Sequence, residues 1–128
     1  MRNPMWWMAM GLCCASVPAG AVPVPGTVVL ELHPDMRDCL SPMCGGWFVE
    51  RVNHPTLRCL DGSVAAQCYV LEVDWTALGL DPVRQDALVA AAFRDEVVIR
   101  ARPYRVNVPG FGDFAGIEPV HAWTAVLP

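Results

Sequence analysis

A chain of 128 residues that is 54% apolar and 17% charged is too hydrophobic for a disordered polypeptide and too short for a second domain. Its nine basic residues are all arginine, set against 13 carboxylates for a net charge of −4. Such a chain lacks the basic patch that releases counterions from a nucleic acid or an anionic membrane, so neither is expected as a partner.

Residues 1–4 carry a single positive charge, Arg2, and residues 5–17 form an uncharged run. Spanning a bilayer takes about 20 apolar residues, so this run has the length of a secretory signal rather than of a stable anchor. Ala19, Gly20 and Ala21 supply the small residues a signal peptidase requires. Residues 1–21 are therefore read as a signal peptide cleaved after Ala21, with a secreted or periplasmic destination. Cys13 and Cys14 lack preceding small residues of the kind lipidation uses, so lipid anchoring is disfavoured. Cleavage removes Arg2, which leaves eight arginines against the same 13 carboxylates. The mature chain then divides into an extended, proline-rich leader over 22–26 and a single β-rich domain over 27–128.

Within that domain, period-two alternation marks a first strand at 27–33, and residues 34–46 form a loop holding Cys39, Cys44 and two prolines. A second strand is read at 47–52 and, after the Asp61–Gly62 turn, a third at 67–75. The third sets Tyr69, Leu71, Val73 and Trp75 on one face and Cys68, Val70, Glu72 and Asp74 on the other. Asp81 followed by Pro82 is an N-cap with proline at the first helical position, and the apolar spacing that follows predicts a helix over 82–92. A fourth strand runs over 96–102 and ends, or lies on an edge, at Pro103. Residues 109–116 read as a Gly/Phe loop and 117–127 as a last strand. The order β-β-β-α-β-β predicts an α+β, mostly β fold: a small five-stranded sheet with a helix on one face, or a partly open barrel of the OB type.

Four cysteines remain after cleavage, an even number suited to two disulfides in an exported domain. The local pairing Cys39–Cys44 and Cys59–Cys68 is favoured because the second pair flanks a turn; the crossed pairing Cys39–Cys68 with Cys44–Cys59 is the runner-up. The spacing between Cys59 and Cys68 does not fit paired zinc ligands, and no C-x-x-C redox motif is present.

Several of these residues recur together. The run Cys39-Leu-Ser-Pro-Met-Cys44-Gly-Gly-Trp-Phe-Val, then Arg58-Cys59-Leu-Asp-Gly, then Cys68-Tyr-Val-Leu-Glu-Val-Asp-Trp75 resembles a family of exported bacterial proteins described as a domain of unknown function. The resemblance spans about residues 27–127, with Gly110-Phe-Gly112 and Val120-His121-Ala122-Trp123 matching the family's closing strand. It implies an exported compartment and a disulfide-bearing fold, and it carries over no activity and no catalytic residue.

The remaining chemistry is sparse. His33, His54 and His121 are the only histidines and share no close metal-ligand spacing, and no G-x-S-x-G nucleophile motif occurs. Glu50, Glu72 and Asp74 would form an acidic group if the second and third strands paired with those side chains on one face. Residues 110–116 lead into a strand rather than a helix, which removes a phosphate-cradle reading. Arg100, Arg102 and Tyr104 lie on one side of the fourth strand and, with Trp47, form the candidate ligand face; alternatively the row is an edge strand protected by charge, and Trp47, Trp75 and Trp123 are core aromatics. No cofactor and no metal are expected. The leading expectation is a disulfide-stabilised binding or structural module without catalysis, taking an envelope glycan, a peptide or an exported protein. Two alternatives stand beside it: a small metal-dependent hydrolase using the histidines and nearby carboxylates, and an inhibitor presenting the Cys39–Cys44 loop to an exported enzyme.

Overall fold

The computed structural model describes residues 26–124, so the expected signal segment, most of the leader and the last four residues lie outside the described residues. Eight strands and one helix follow: β1 (Val28–Pro34), β2 (Trp47–Arg51), β3 (Leu57–Arg58), β4 (Val64–Ala65), β5 (Cys68–Val70), β6 (Glu72–Val73), a 3-10 turn at Trp75–Leu78, α1 (Pro82–Phe93), β7 (Val98–Val108) and β8 (Gly112–Trp123). Six of the strands make one mixed sheet in the order β5-β2-β1-β7-β8-β6, and β3 with β4 forms a separate small hairpin. All neighbours in the large sheet are antiparallel except β6 and β8.

This open sheet curls. β5 and β6 occupy its two ends, yet only Leu71 separates them in sequence, and the Leu71 N–H donates to the carbonyl of Ala115 in β8 at 2.8 Å. One segment, residues 68–73, therefore runs along both edges. With α1 between β6 and β7, this is the strand order of a partly open barrel of the OB type.

The hand-over at Leu71 corrects the uninterrupted third strand expected from alternation. Cys68 and Val70 are buried and Tyr69 points outward; beyond Leu71 the parity reverses, with Val73 packed on the core and Glu72 exposed. A segment that leaves the β2 ladder to join β8 needs a residue to absorb the change of register, as a bulge does. Trp75 then lies in the 3-10 turn rather than in a strand.

Pro103 does not end its strand. The β1 partner stops opposite Ala101, so the missing N–H of Pro103 leaves no donor unmet on that side, and β7 continues to Val108 paired with β8. Residues 112–116, expected as loop, are accordingly the start of β8. The helix is as the caps dictate: the Asp81 carboxylate accepts from the Arg84 N–H at 2.9 Å, and Pro82 opens the first turn. Its buried Leu88, Ala91 and Ala92 close the barrel core formed by Leu30, Leu32, Val49, Val70, Ile99 and Ile117. Burial of each such leucine or isoleucine stabilises the fold by about 1.5–3 kcal/mol.

Candidate functional site

Both disulfides are the local ones, Cys39–Cys44 with Cα atoms 5.7 Å apart and Cys59–Cys68 at 5.5 Å. The first closes the β1–β2 connection, which a buried carboxylate also holds. Asp35 has no exposed side-chain surface. It accepts from the backbone N–H groups of Arg37 at 3.0 Å and Gly45 at 3.2 Å. The Arg37 guanidinium grips it through Nε at 3.0 Å and Nη2 at 2.9 Å. That guanidinium also donates to the Met43 carbonyl and stacks 5.0 Å from the Phe48 ring centroid. The Tyr69 hydroxyl completes the lock, accepting from the Gly46 N–H and donating to the Pro42 carbonyl.

Arg37's side-chain hydrogen bonds hold the Asp35 carboxyl well below its ordinary 3.8, at about 2. A depressed carboxyl pKa contributes stability that is complete above the ordinary value and is lost as pH falls through the folded one. Between about pH 4 and 2 the native chain therefore loses this contribution. Asp35→Asn is expected to be less stable at neutral pH and to show a flatter acid limb over that window, read by circular dichroism during acid titration.

The outward face of the sheet carries three of the four expected ligand residues. Arg100, Arg102 and Tyr104 alternate along β7 on this face, each engaged within the chain: Arg100 over the Trp123 ring at 5.8 Å, Arg102 beside Glu118 at 3.9 Å, and the Tyr104 hydroxyl donating to Glu72 at 3.1 Å. Burial and that carboxylate push the Tyr104 hydroxyl up to about 12. Trp47 is not among them. It lies on the inner face, buried, edge-on to Trp75 at 5.9 Å and 4.9 Å from Phe93. Trp75 packs partly buried against the core, whereas Trp123 is 41% exposed and meets His121 rather than the core.

The three histidines do not converge. His54 sits exposed in the β2–β3 connection, and His121 is beside Trp123. His33 instead gathers carboxylates. Its Nδ1 is 2.8 Å from Asp95 Oδ1, while Nε2, fully enclosed and without a hydrogen-bond partner, is 3.7 Å from Glu31 and 3.8 Å from Glu50. The ligand atoms of Glu31, His33 and Glu50 all lie within 4.8 Å of one another. Asp95 reaches His33 from the end of α1, where it holds a left-handed φ of 60° that glycine would adopt more easily. Glu50 also accepts from Gln67, and Glu72 bonds Tyr104 across the hand-over, so the expected Glu50–Glu72–Asp74 group does not form.

On the inner face, beneath the β3–β4 hairpin, the barrel mouth opens into a cavity of about 200 Å³. Its floor is core: Leu30, Val49, Val70 and Ile117. Leu57 and Leu60 of the hairpin form its roof, pinned by the Cys59–Cys68 bridge. Among the described residues, Arg51 and Arg58 are its only polar side chains. An open groove on the outside of the same hairpin, near Tyr69 and Phe114, is larger, but its charged side chains are engaged within the chain, Arg105 with Asp113 at 3.0 Å and Asp61 with Ser63 at 2.6 Å. The alternation of β2 carries a trace of the mouth: Trp47, Val49 and Arg51 share the inward parity, so the arginine stands where a core residue would. Of the hairpin roof the sequence shows the Asp61–Gly62 turn and its flanking cysteines, whereas its two-residue strands carry no alternation to read.

No curated protein and no solved structure matches this chain. A family model matches residues 28–127, taking in both disulfides, the Asp35 lock and the whole curled sheet. The chain belongs to the family described as a domain of unknown function, DUF6748.

Proposed function

We propose that the chain is an exported, disulfide-stapled binding module, and that it takes a small apolar ligand in the mouth beneath the β3–β4 hairpin. The observation that carries this reading is a cavity that continues into the core while its roof is a separate two-stranded element. Apolar pockets with a few placed polar groups are the usual form of small-molecule sites. The only polar side chains here are arginines, which neither give nor take protons near neutral pH, so the site suits binding rather than acid–base catalysis. Export is supported by the signal-like residues 1–21 and by two disulfides, which persist in oxidising compartments. Among the described residues no helix is long and apolar enough to cross a membrane. Titration of the disulfide-bonded chain with octan-1-ol, followed by methyl NMR, tests the site. Saturable shifts at Val28, Leu57 and Ile117 are expected, and their absence would remove the reading.

A second reading, metal binding, rests on His33. With Nδ1 held against Asp95, Nε2 faces two carboxylate oxygens at 3.7 and 3.8 Å, too far away for a hydrogen bond, and in the tautomer that carries its proton on Nδ1 it would offer them a lone pair. A divalent ion between them would relieve that repulsion, with Asp95 orienting the ring from behind as outer carboxylates do at zinc sites. Zinc titration with a competing chelator is expected to give one site per chain that His33→Ala abolishes; equal uptake by the variant would exclude it.

A further inference from the structure

We infer that the ligand of the barrel mouth is a small anionic amphiphile, a medium-chain or arylalkyl carboxylate, whose tail fills the cavity and whose head group is bound by Arg51 and Arg58. This inference rests on the binding-site reading above and adds the chemistry of the ligand.

The charge pattern carries it. Every other arginine among the described residues has a partner within the chain. Arg37, Arg84, Arg94, Arg102 and Arg105 pair with carboxylates, and Arg100 stacks on Trp123. Among the described residues Arg51 and Arg58 have no ion pair, side-chain hydrogen bond or ring contact, although all 13 carboxylate side chains of the chain lie there. Both border the same cavity, from β2 and from the hairpin respectively. An acidic chain that leaves two unpaired cations at the rim of its apolar mouth offers a local field for an anion. Arginine's apolar stem lies along the wall while its planar donor fork stays at the solvent edge, matched to a carboxylate.

Size narrows the tail. A cavity of 150 Å³ in another protein accommodates benzene, so about 200 Å³ fits on the order of six to eight carbons. The chemistry is therefore that of octanoate or phenylpropanoate rather than of a long-chain lipid.

Isothermal titration of the full disulfide-bonded chain with octanoate, butanoate and octan-1-ol tests both parts. Octanoate is expected to bind at one site per chain, about tenfold more tightly than octan-1-ol, the difference reflecting charge-assisted hydrogen bonds. Butanoate should be weaker by a factor of about three to four for each missing methylene. Arg51→Gln and Arg58→Gln, both at exposed positions, should each lower octanoate affinity about tenfold and octan-1-ol affinity by about twofold at most, since only the charged head group loses its charge-assisted hydrogen bonds, with the unfolding midpoint unchanged. If octanoate and octan-1-ol bind the parent equally, or if each substitution changes the two affinities by the same factor, the head-group assignment fails while the binding site stands. If neither compound binds, both readings fail.

Discussion

Gly46→Ala is expected to destabilise the chain by about 3 kcal/mol, the upper end of overpacking costs, because the added methyl meets backbone rather than a movable side chain. A Cβ at this position would lie 2.1 Å from the Val70 carbonyl oxygen and 2.9 Å from that of Leu71, with the Tyr69 hydroxyl also at 2.9 Å. Those carbonyls belong to the hand-over between β5 and β6, and Leu71 is tied by its N–H to Ala115, so the seam cannot step aside without releasing β8. The same glycine donates to Tyr69, and its carbonyl accepts from the Asp35 N–H at 3.0 Å. One methyl group therefore strains the seam of the barrel and the lock of the Cys39–Cys44 loop together. Gly45→Ala is the control. Its φ of 92° makes any side chain strained, yet nothing lies within 4 Å of the new atom, so a smaller loss is expected there. Urea unfolding of both variants measures the difference; a Gly46→Ala chain within 1 kcal/mol of the parent would show that the seam yields.

The elements set by short-range rules were legible in the sequence. Asp81 and Pro82 start α1 through backbone capping that needs no tertiary partner, and alternation in β1 and β2 assigns Leu30, Leu32 and Val49 to the core. What alternation could not show is which neighbour a strand leaves. Leu71 continues an apolar-polar pattern without a glycine or proline to mark a break, because the change there is one of partner, from β2 to β8. Pro103 leaves two outcomes open in the sequence, an end or an edge, for a related reason: the edge is decided by β1, the neighbouring strand, ending opposite Ala101 while β8 continues beside β7. The candidate sites divide in the same manner. The arginine row of β7 follows from parity within one strand, so Arg100, Arg102 and Tyr104 do share a face. Trp47 was grouped with them by residue type alone, and pairing places it on the opposite side. Arg51 and Arg58 read in the sequence as counter-charges, because an arginine among 13 carboxylates is expected to find one; only the fold leaves both without a partner among the described residues.

Replacing Cys59 and Cys68 together by alanine is expected to cost about 2–3 kcal/mol through the freedom returned to the unfolded chain, a loss a domain with roughly 5–15 kcal/mol of stability survives. The Cys39–Cys44 bridge closes a somewhat shorter loop, a sequence separation of 5 against 9, and because the entropy depends only logarithmically on loop length its removal should cost a comparable amount. The two pairs differ in what they hold. Cys68 lies buried on β5 and Cys59 on the hairpin that roofs the mouth, so the bridge fixes the roof to the wall of the cavity. The hairpin itself is only two residues per strand, too short to keep its place by its own ladder. Without the bridge, Leu57 and Leu60 no longer cover the apolar floor in one fixed position, and the ligand must order the roof as it binds. Octan-1-ol affinity is therefore expected to fall at least fivefold in the Cys59/Cys68 double variant, at about 1 kcal/mol of ordering cost. In the Cys39/Cys44 variant it should stay within twofold of the parent. Calorimetric titration of the two variants, compared at temperatures where both remain folded, separates a roof that the disulfide holds in place from a bridge that stabilises the fold in general. Equal affinities in the two would assign the second bridge no part in the binding site.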